Sequence, residues 1–306
     1  PSRTSPPGSM ASHSARWGDS HLNYRHAYHA GNFADVLKHL VLVQVLQHLR
    51  RKDKPFYALD THAGRGLYEL HGEQAEKTGE YRDGIGRLLS LPDSPAEPLP
   101  PALADYLAAV RPFLAQGRYP GSPVLVQAML REGDRALFAE LHPEEHAALL
   151  DALGRDRQVK VECRDGYEAL RATLPPKERR GLVLVDPPFE EKGEMERLGK
   201  ALREGLRRFA TGQYLLWYPI KARADVRLLH DLVRSLEPKE ALVAELTIWP
   251  ERTELRLNGT GMVIVNPPYG LREALADCLP LLARTLAREG TGGWRLEPLS
   301  VRPEEA

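Results

Sequence analysis

The chain has 306 residues, and 42 Lys and Arg residues balance 42 Asp and Glu residues, so its formal net charge at pH 7 is zero. This length allows one large α/β domain with an insertion, or two domains. No stretch has the roughly 18 apolar residues of a transmembrane helix. Cys163 and Cys278 are too few for a disulfide framework or a cysteine zinc site, and they fit a reducing cytoplasm. A nucleic-acid partner would need a local basic face.

The first 55 residues divide into a leader and a helical motif. Residues 1–21 are rich in Ser, Pro and Gly without apolar periodicity, so we interpret them as a tag remnant or a disordered leader. Residues 22–55 begin aromatic, basic and histidine-rich. They continue into a predicted helix with an apolar stripe, with Asn32 as its N-cap and Asp35 in its first turn.

The first predicted strand, residues 56–60, runs into a glycine turn at Gly64 and Gly66, where a backbone can approach a ligand closely. Residues 67–119 lose the strand signal, and we predict an inserted, mostly helical subdomain there. The main domain then comprises residues 56–66 and 120–300. Its alternating strands and helices predict an α/β fold with a seven-stranded, mostly parallel sheet. The other six strands are predicted at residues 136–142, 159–163, 182–185, 214–218, 241–249 and 261–268.

The strand at residues 182–185 is apolar throughout and ends in Asp186-Pro-Pro-Phe189. Two prolines stop the ladder, so the acid is held at the carboxyl end of a buried strand, where open α/β sheets bind ligands. The Asp186 carboxylate and the Pro187 carbonyl can accept hydrogen bonds from an amino group, while Phe189 can stack on a flat ring. The alternative is structural, because Asp-Pro is also a common turn starter.

Acidic residues recur where the predicted strands end, at Asp60, Glu140, Asp165 and Asp186. In a parallel sheet these ends share one edge. Glu140 is placed to hold a ribose diol, Asp165 and Gly166 are placed to receive the edge of a purine, and the glycine turn leaves room for the rest of the ligand. This is the layout of an S-adenosylmethionine site.

Asp186-Pro-Pro-Phe189 resembles the motif of methyltransferases that act on amino nitrogens, chiefly adenine N6. The chain as a whole, from residue 22 to about residue 294, resembles the bacterial ribosomal RNA large subunit methyltransferase J family. The segments that carry the resemblance are residues 23–39, 59–66, 119–123, 140–143, 180–188, 208–212, 216–219 and 263–268.

The resemblance implies a Rossmann-like class I fold, S-adenosyl-L-methionine as the cofactor, and N6 methylation of an adenine in 23S ribosomal RNA. We further expect a protein-free or early-assembly RNA substrate, no metal, a monomer, and a cytoplasmic location. Tyr24 would contact the RNA. The implied catalytic residues are Asp186, Pro187 and Phe189, and the implied cofactor-binding residues are Lys38, His39, His62, Gly64, Ser122, Glu140, Asp165, Gly166 and Asp186.

Two positions depart from the usual family pattern. Phe189 stands where a Tyr is common, which keeps stacking but loses a hydroxyl. Arg65, between the two glycines, brings a charge that could face RNA or the cofactor carboxylate. His39 and His62 are expected to hydrogen-bond the cofactor or the substrate.

Several alternatives compete with these interpretations. Asn266-Pro-Pro-Tyr269 also fits the amine-methylation motif, but chain order favours Asp186, and we expect Asn266 to end the last strand in a hairpin. The spacing of His26 and His29 could chelate a metal, yet no zinc signature supports it. Rival functions are a DNA adenine-N6 methyltransferase and a non-catalytic RNA-binding assembly factor. The basic clusters would form a phosphate track if they shared the edge that bears Asp186; they are residues 25–29, 50–54, 177–180, 203–208 and 221–227.

Overall fold

The structure is a computed structural model that describes residues 28–92, 94, 97–190, 193–249, 257–290 and 292–299. The predicted leader and Tyr24 lie outside these ranges. The helices are α1 (Phe33–Arg50), α2 (Glu73–Thr78), α3 (Glu80–Asp83), α4 (Ile85–Leu89), α5 (Pro101–Leu114), α6 (Ser122–Met129), α7 (Pro143–Leu153), α8 (Gly166–Thr173), α9 (Glu194–Arg208), α10 (Arg223–Arg234) and α11 (Leu271–Leu286).

The strands are β1 (Tyr57–Asp60), β2 (Leu67–Glu69), β3 (Arg118–Pro120), β4 (Arg135–Glu140), β5 (Val159–Cys163), β6 (Gly181–Val185), β7 (Gln213–Ile220), β8 (Ala241–Thr247), β9 (Gly259–Val265) and β10 (Gly293–Pro298). None of the helices in the described ranges combines the length and apolarity needed to cross a membrane.

The main sheet has eight strands in the order β5-β4-β1-β6-β7-β9-β8-β10. The first five neighbours pair in parallel, while β9 is antiparallel to β7 and β8, and β10 is antiparallel to β8. The expected mostly parallel α/β sheet is therefore confirmed, with one strand more than the seven expected. The added strand, β10, is a partly exposed edge strand whose mixed polar sequence lacks the apolar run of a central strand.

Helices cover both faces of the sheet, as its central strands require. Every residue of β1 and β6 is buried, because neither face of these strands meets water. One face packs against α1, α5, α6 and α11, and the other packs against α8, α9 and α10. The two layers leave the carboxyl ends of β1, β4 and β6 together at one edge of the sheet.

Helix α1 brings its first turns to this carboxyl edge. The Oδ1 atom of Asn32 accepts hydrogen bonds from the backbone N–H groups of Ala34 at 2.9 Å and Asp35 at 3.2 Å, which confirms the predicted N-cap. The helix is buried on almost every side, and Lys38 is only 4% exposed and His39 only 1%. Two polar side chains are thereby held in the interior, beside the ends of the strands.

Residues 67–119 contain α2 to α5 between the short strands β2 and β3, which pair with each other in an antiparallel ladder. Helix α5 buries Leu103, Tyr106 and Leu107 in the same core as α1 and α11. This stretch leaves and rejoins the main domain at neighbouring points, as an insertion does. Its treatment as a separate subdomain stays a prediction.

The second amine-methylation motif lies at the other edge of the sheet. Because β9 runs antiparallel to β7, Asn266 follows β9 near the beginning of β7, away from Asp186. Its Nδ2 atom donates to the carbonyl oxygens of Ala210 at 2.9 Å and Gly212 at 2.7 Å. The expectation that Asn266 ends the last strand in a hairpin is wrong, since α11 follows it and β10 comes later.

Candidate active site

A cavity of about 390 Å³ opens at the carboxyl edge of the sheet, between the start of α1 and the ends of β1, β4 and β6. This volume is in the range of small-ligand sites, which runs from roughly 300 to 1,000 Å³. The structure brings together every described residue that the sequence assigned to the site. The cavity is lined by Lys38, His39, His62, Gly64, Ser122, Glu140, Asp165, Gly166, Asp186, Pro187 and Phe189, among others.

Asp186 forms an ion pair with a lysine of α1. The Nζ atom of Lys38 lies 2.5 Å from Oδ2 of Asp186 and 2.9 Å from Oδ1 of Asp35. Burial opposes the positive charge, but the two carboxylates outweigh it and raise the pKa of Lys38 well above its usual value. Lys38 is therefore a fixed cation that anchors Asp186 at the bottom of the cavity.

The turn after Asp186 has a special backbone conformation at Phe189, whose φ is +51°. A non-glycine residue in this region costs on the order of 1–3 kcal/mol, so the surrounding structure must hold it there. The Phe189 ring meets Trp217 of β7 edge to face, with 5.6 Å between ring centroids. Phe189 and Trp217 together give one wall of the cavity an aromatic surface.

The glycine turn and Glu140 form a second wall. The N–H of Gly64 donates to Oε2 of Glu140 at 2.8 Å, and the N–H of His142 donates to Oε1 at 2.7 Å. Gly64 has φ +62°, and a Cβ there would lie 2.5 Å from the hydroxyl of Tyr68. Burial raises the pKa of Glu140, while the two N–H donors act in the opposite direction. The carboxylate is thus fixed in orientation beside a turn that only glycine fits.

Asp165 and Gly166 begin α8 on a third side. Oδ1 of Asp165 caps the helix by accepting the N–H of Glu168 at 2.9 Å. A Cβ on Gly166 would lie 1.9 Å from the carbonyl oxygen of Thr61, so no other residue fits without moving the β1 turn. The guanidinium of Arg197 lies over the ring of Tyr167, 5.0 Å from its centroid, and covers this end of the cavity.

Asp60, at the end of β1, is a deeply buried acid next to the cavity, with 1% exposure. Its Oδ2 accepts the hydroxyl of Ser122 at 2.6 Å, and its Oδ1 accepts the N–H of His62 at 3.2 Å. Burial raises the pKa of Asp60 to about 7, Ser122 lowers it, and the nearby charge of Asp186 adds to the rise. Ser122 therefore lies in the cavity wall as the hydrogen-bond partner of a buried acid.

The two histidines that the sequence assigned to the site bond to protein groups. Nδ1 of His39 lies 2.8 Å from the hydroxyl of Tyr119, which in turn lies 3.0 Å from that of Tyr106. Nδ1 of His62 lies 2.8 Å from the Thr61 hydroxyl, and burial lowers the pKa of His62 to about 4. His62 is therefore neutral at pH 7. Contact of either ring with a ligand stays a prediction.

Arg65 makes a bidentate ion pair with Glu145 of α7, with its Nε and Nη2 atoms 2.9 and 2.7 Å from the carboxylate oxygens. The guanidinium is thus committed to a partner on the protein. Contact of Arg65 with RNA or a cofactor carboxylate stays a prediction. The sequence could not show that α7 places an acid within its reach.

Several lining residues escaped the sequence reasoning. Asp35 had been assigned only to the first turn of α1, although its spacing of three residues from Lys38 was a usable signal for a shared helix face. Others come from elements far apart in the chain, so no single local pattern groups them. They include Thr61, Tyr167, Glu194, Arg197, Trp217 and Lys221.

The arrangement fits S-adenosylmethionine on its own chemistry. Glu140 offers two oriented carboxylate oxygens, as a ribose diol requires. A Cβ at Gly64 or Gly166 would collide with the protein itself, so these glycines allow the close packing that shapes this edge of the cavity. Asp186 and Glu140 add negative charge, which suits a ligand that carries a sulfonium cation.

Comparisons with known proteins agree with this geometry. The family model described as Ribosomal RNA large subunit methyltransferase D, RlmJ, matches residues 53–300. Two proteins named Ribosomal RNA large subunit methyltransferase J are each 42% identical to this chain. The one from Haemophilus influenzae aligns over 280 residues, which is 90% of this chain and 98% of that protein. The one from Escherichia coli aligns over 275 residues, which is 89% of this chain and 96% of that protein.

A crystal structure of protein LPL1258 from Legionella pneumophila has the same fold, with a TM-score of 0.79 and 33% identity, covering 88% of this chain and 98% of that one. The matched residues, 53–300, include every strand of the sheet and most residues that line the cavity, whereas the lining residues of α1 precede the match. The chain therefore belongs to the family described as Ribosomal RNA large subunit methyltransferase D, RlmJ, and it is a methyltransferase with a class I fold that uses S-adenosylmethionine.

Proposed function

We propose that this protein methylates the N6 amino group of an adenine in 23S ribosomal RNA. The observation that carries the proposal is Asp186-Pro-Pro-Phe189 at the carboxyl end of β6, on the wall of a cavity whose other walls suit a nucleoside. The relatives named as ribosomal RNA large subunit methyltransferases support RNA as the substrate.

The adenine has to reach the cavity with its N6 edge free of base pairing, so it enters from an unpaired region or is flipped out of a helix. Phe189 stacks on the base, at roughly 1–3 kcal/mol per base. Tyr24, which precedes the described residues, assists in holding the RNA.

Asp186 and the Pro187 carbonyl orient the amino group. Lys38 already bonds Oδ2 of Asp186, so we assign the other carboxylate oxygen to an N6 hydrogen. Two acceptors on the two N6 hydrogens favour a tetrahedral nitrogen, whose lone pair then leaves conjugation with the ring. S-adenosylmethionine supplies a methyl group already activated by its sulfonium, so alignment and electrostatics are the protein's main contribution. Methyl transfer would break the bond between the methyl carbon and the cofactor sulfur, leave that electron pair on sulfur, and form the N–C bond. Asp186 would accept the proton that the amino nitrogen gives up.

Glu140, Asp165 and the glycine positions hold the cofactor in this proposal. Glu140 binds the ribose hydroxyls, and Asp165 with Gly166 meets the purine edge. Lys38 and His39 act from α1, His62 from the turn after β1, and Ser122 from the start of α6. Protein-free or early-assembly 23S rRNA is the proposed substrate, the protein acts as a monomer, and its location is the cytoplasm, where ribosomal RNA is made.

The test is a transfer assay with S-adenosylmethionine labelled on its methyl group. The purified protein is incubated with protein-free large-subunit rRNA and, in parallel, with duplex DNA, and the products are digested to nucleosides. We expect label in N6-methyladenosine from the RNA alone. Label in the DNA would support the DNA methyltransferase instead. Cofactor binding without transfer to either would support a non-catalytic RNA-binding factor.

Variants of the two amine-methylation motifs sharpen this test. Asp186→Ala is expected to abolish transfer, while Lys38 keeps its second partner, Asp35, at 2.9 Å and the fold survives. Phe189→Ala is expected to lower kcat/KM for RNA by roughly 5- to 150-fold, the equivalent of one lost stacking contact. Tyr269→Ala is the matched control, because Tyr269 belongs to the other motif and is 93% exposed. Full activity in Asp186→Ala, or equal losses in the two aromatic variants, would contradict the assignment.

A further inference from the structure

Two of the basic clusters singled out in the sequence meet in space, but they meet at the edge of the sheet opposite the cavity. Arg131 holds the chain after α1, since its Nη1 donates to the carbonyl oxygens of Arg50 at 2.8 Å and Lys52 at 2.9 Å. Arg180 holds the same stretch from the other side, donating from Nη1 to the carbonyl oxygen of Lys54 at 2.7 Å. Three loops are thereby tied into one surface.

This surface, which we name the basic edge, consists of residues 50–54, 131–132 and 177–180. Its exposed acids are Asp53 and Glu132, so its exposed side chains carry a net four positive charges. The remaining acid, Glu178, is bonded to Arg135. The exposed cations of the basic edge are Arg50, Arg51, Lys52, Lys54, Lys177 and Arg179.

The basic edge is an asymmetry of the whole molecule, because the chain as a whole has zero net charge. Cations near the end of a helix favour its dipole, but one or two are enough for that effect. The excess of positive charge also affects the pKa of the neighbouring His48. Burial lowers its pKa, and the charges of Arg51, Arg180 and Lys52 lower it further. A surface of like charges repels itself unless an anion binds there.

We propose that the basic edge binds the phosphodiester backbone of the RNA substrate, at a distance from the methylated base; this rests on the proposed function. Lys and Arg neutralise phosphates without reading sequence, which suits a second contact that positions a long RNA. From Lys38 in the cavity to Arg50 at the basic edge, α1 rises by roughly 18 Å. Only an RNA that extends well beyond the target loop reaches both places.

The test measures the binding of a labelled transcript of large-subunit rRNA over a series of KCl concentrations. The variant Arg51→Gln/Lys52→Gln/Lys177→Gln removes three exposed cations and keeps Arg131 and Arg180, which hold the loops. The matched control, Lys239→Gln/Arg272→Gln/Arg284→Gln, removes the same charge from other exposed positions. We expect the slope of log affinity against log salt to fall by about two in the basic-edge variant, with binding at least about tenfold weaker near 0.1 M salt.

The control is expected to retain most of the affinity, and both variants are expected to unfold at the wild-type temperature. A short RNA that carries only the target loop should bind the basic-edge variant and the wild type alike. The proposal is overturned if the salt slope of the basic-edge variant is unchanged, or if the control loses as much RNA affinity as that variant. It is also overturned if the basic-edge variant loses affinity for duplex DNA but not for the RNA. RNA binding through the basic edge without any methyl transfer would uphold this surface and refute the proposed function.

Discussion

At the scale of single residues, the acids of the cavity differ in how they are paired. Asp186 faces a buried cation at 2.5 Å, and Glu140 accepts two backbone N–H groups. Asp60 accepts one hydrogen bond from the Ser122 hydroxyl and one long hydrogen bond from a backbone N–H. Burial raises its pKa to about 7. The protonation of Asp60 therefore changes near neutral pH, in direct contact with Ser122.

Asp60 makes the stability of the fold depend on pH. Its pKa of about 7 in the folded protein lies above its usual value of 3.8, so the folded state binds the proton more tightly. The stabilisation is fully present below pH 3.8 and is lost as pH rises through 7. Asn cannot titrate. We therefore expect the free energy of unfolding of Asp60→Asn, relative to wild type, to rise by about 3 kcal/mol between pH 5 and pH 8 in urea titrations.

Asp53→Asn, at an exposed position, is the control for this measurement and should show no comparable change across the same pH range. A constant difference between Asp60→Asn and wild type from pH 5 to pH 8 would show that Asp60 titrates as an ordinary surface acid. The buried environment assigned to it would then be wrong.

The positions of the main acids were predictable, whereas their partners were not. Glu140, Asp165 and Asp186 lie at or after the ends of strands that the sequence predicts, so their shared edge follows from parallel pairing. Arg65 and His39 are each bonded to a residue 80 positions away, Glu145 and Tyr119. Such pairs depend on how α7 and the insertion pack, which no local pattern encodes.

At the scale of elements, the insertion holds the chain where it enters α1. Glu80 of α3 bridges this entry, with Oε1 3.0 Å from Nδ1 of His29 and Oε2 accepting Nδ2 of Asn32 at 2.9 Å. The insertion comes close to the backbone here, because the N–H of Ile85 donates to the carbonyl oxygen of Gly31 at 2.9 Å. His29 and Asn32 both line the cavity, so the insertion shapes its mouth.

Glu80→Ala is expected to loosen the entry to α1. The variant loses the bridge to His29 and Asn32, while Asn32 keeps its cap bonds to α1. We expect faster amide hydrogen exchange in residues 28–34 and a several-fold higher KM, with a smaller change in kcat, because Glu80 does not reach the Asp186 side of the site. Glu80→Gln keeps an acceptor and the side-chain shape, so its amide exchange and KM should change less than those of Glu80→Ala.

Glu69→Ala is the matched control, since Glu69 is an exposed acid of the same insertion, on β2. If exchange in residues 28–34 is the same in Glu80→Ala and Glu69→Ala, the insertion does not hold the entry through Glu80. An equal loss of kcat and kcat/KM would place Glu80 in the chemistry instead.

Most strands of the sheet were predictable from the pattern of their apolar residues, and the exceptions have physical causes. The central strands are buried on both faces and read as apolar runs, and β5 was predicted with the bounds it has. Strand β10 is an edge strand with a mixed polar sequence, so its pairing with β8 is set by tertiary contacts. Short helices such as α3, with four residues, are held by the loops around them rather than by their own periodicity.

At the scale of the whole molecule, the two edges of the sheet carry different chemistry. The acid-rich cavity lies at the carboxyl edge of the sheet. The surface named the basic edge lies on the opposite side, as does the second amine-methylation motif, Asn266-Pro-Pro-Tyr269. The sequence contained both amine-methylation motifs and both kinds of charge. The antiparallel direction of β9 separates the two motifs in space, and the choice of Asp186 over Asn266 by chain order stays a prediction.

A buried polar cluster joins the far half of the sheet to its helix layer. Glu245 of β8, 1% exposed, accepts the hydroxyl of Tyr218 at 3.0 Å and pairs with Arg223 of α10 at 2.6 Å and Arg295 of β10 at 3.8 Å. The hydroxyl of Tyr218 also lies 3.0 Å from Nε2 of His230, whose pKa burial lowers to about 4. One carboxylate thus connects two strands and a helix to its own strand.

Removal of the carboxylate leaves two arginines facing a buried hydroxyl, so Glu245→Ala is expected to lower the free energy of unfolding by roughly 3–5 kcal/mol. Glu297→Ala is the comparison, because Glu297 also bonds Arg295 but its side chain is 37% exposed, and such a pair contributes at most about 1 kcal/mol. Urea unfolding at pH 7 measures both. Since none of the cluster lines the cavity, Glu245→Ala should keep its KM for S-adenosylmethionine at temperatures well below its Tm. A loss no larger than that of Glu297→Ala would mean that packing alone holds β10 and α10 to the sheet.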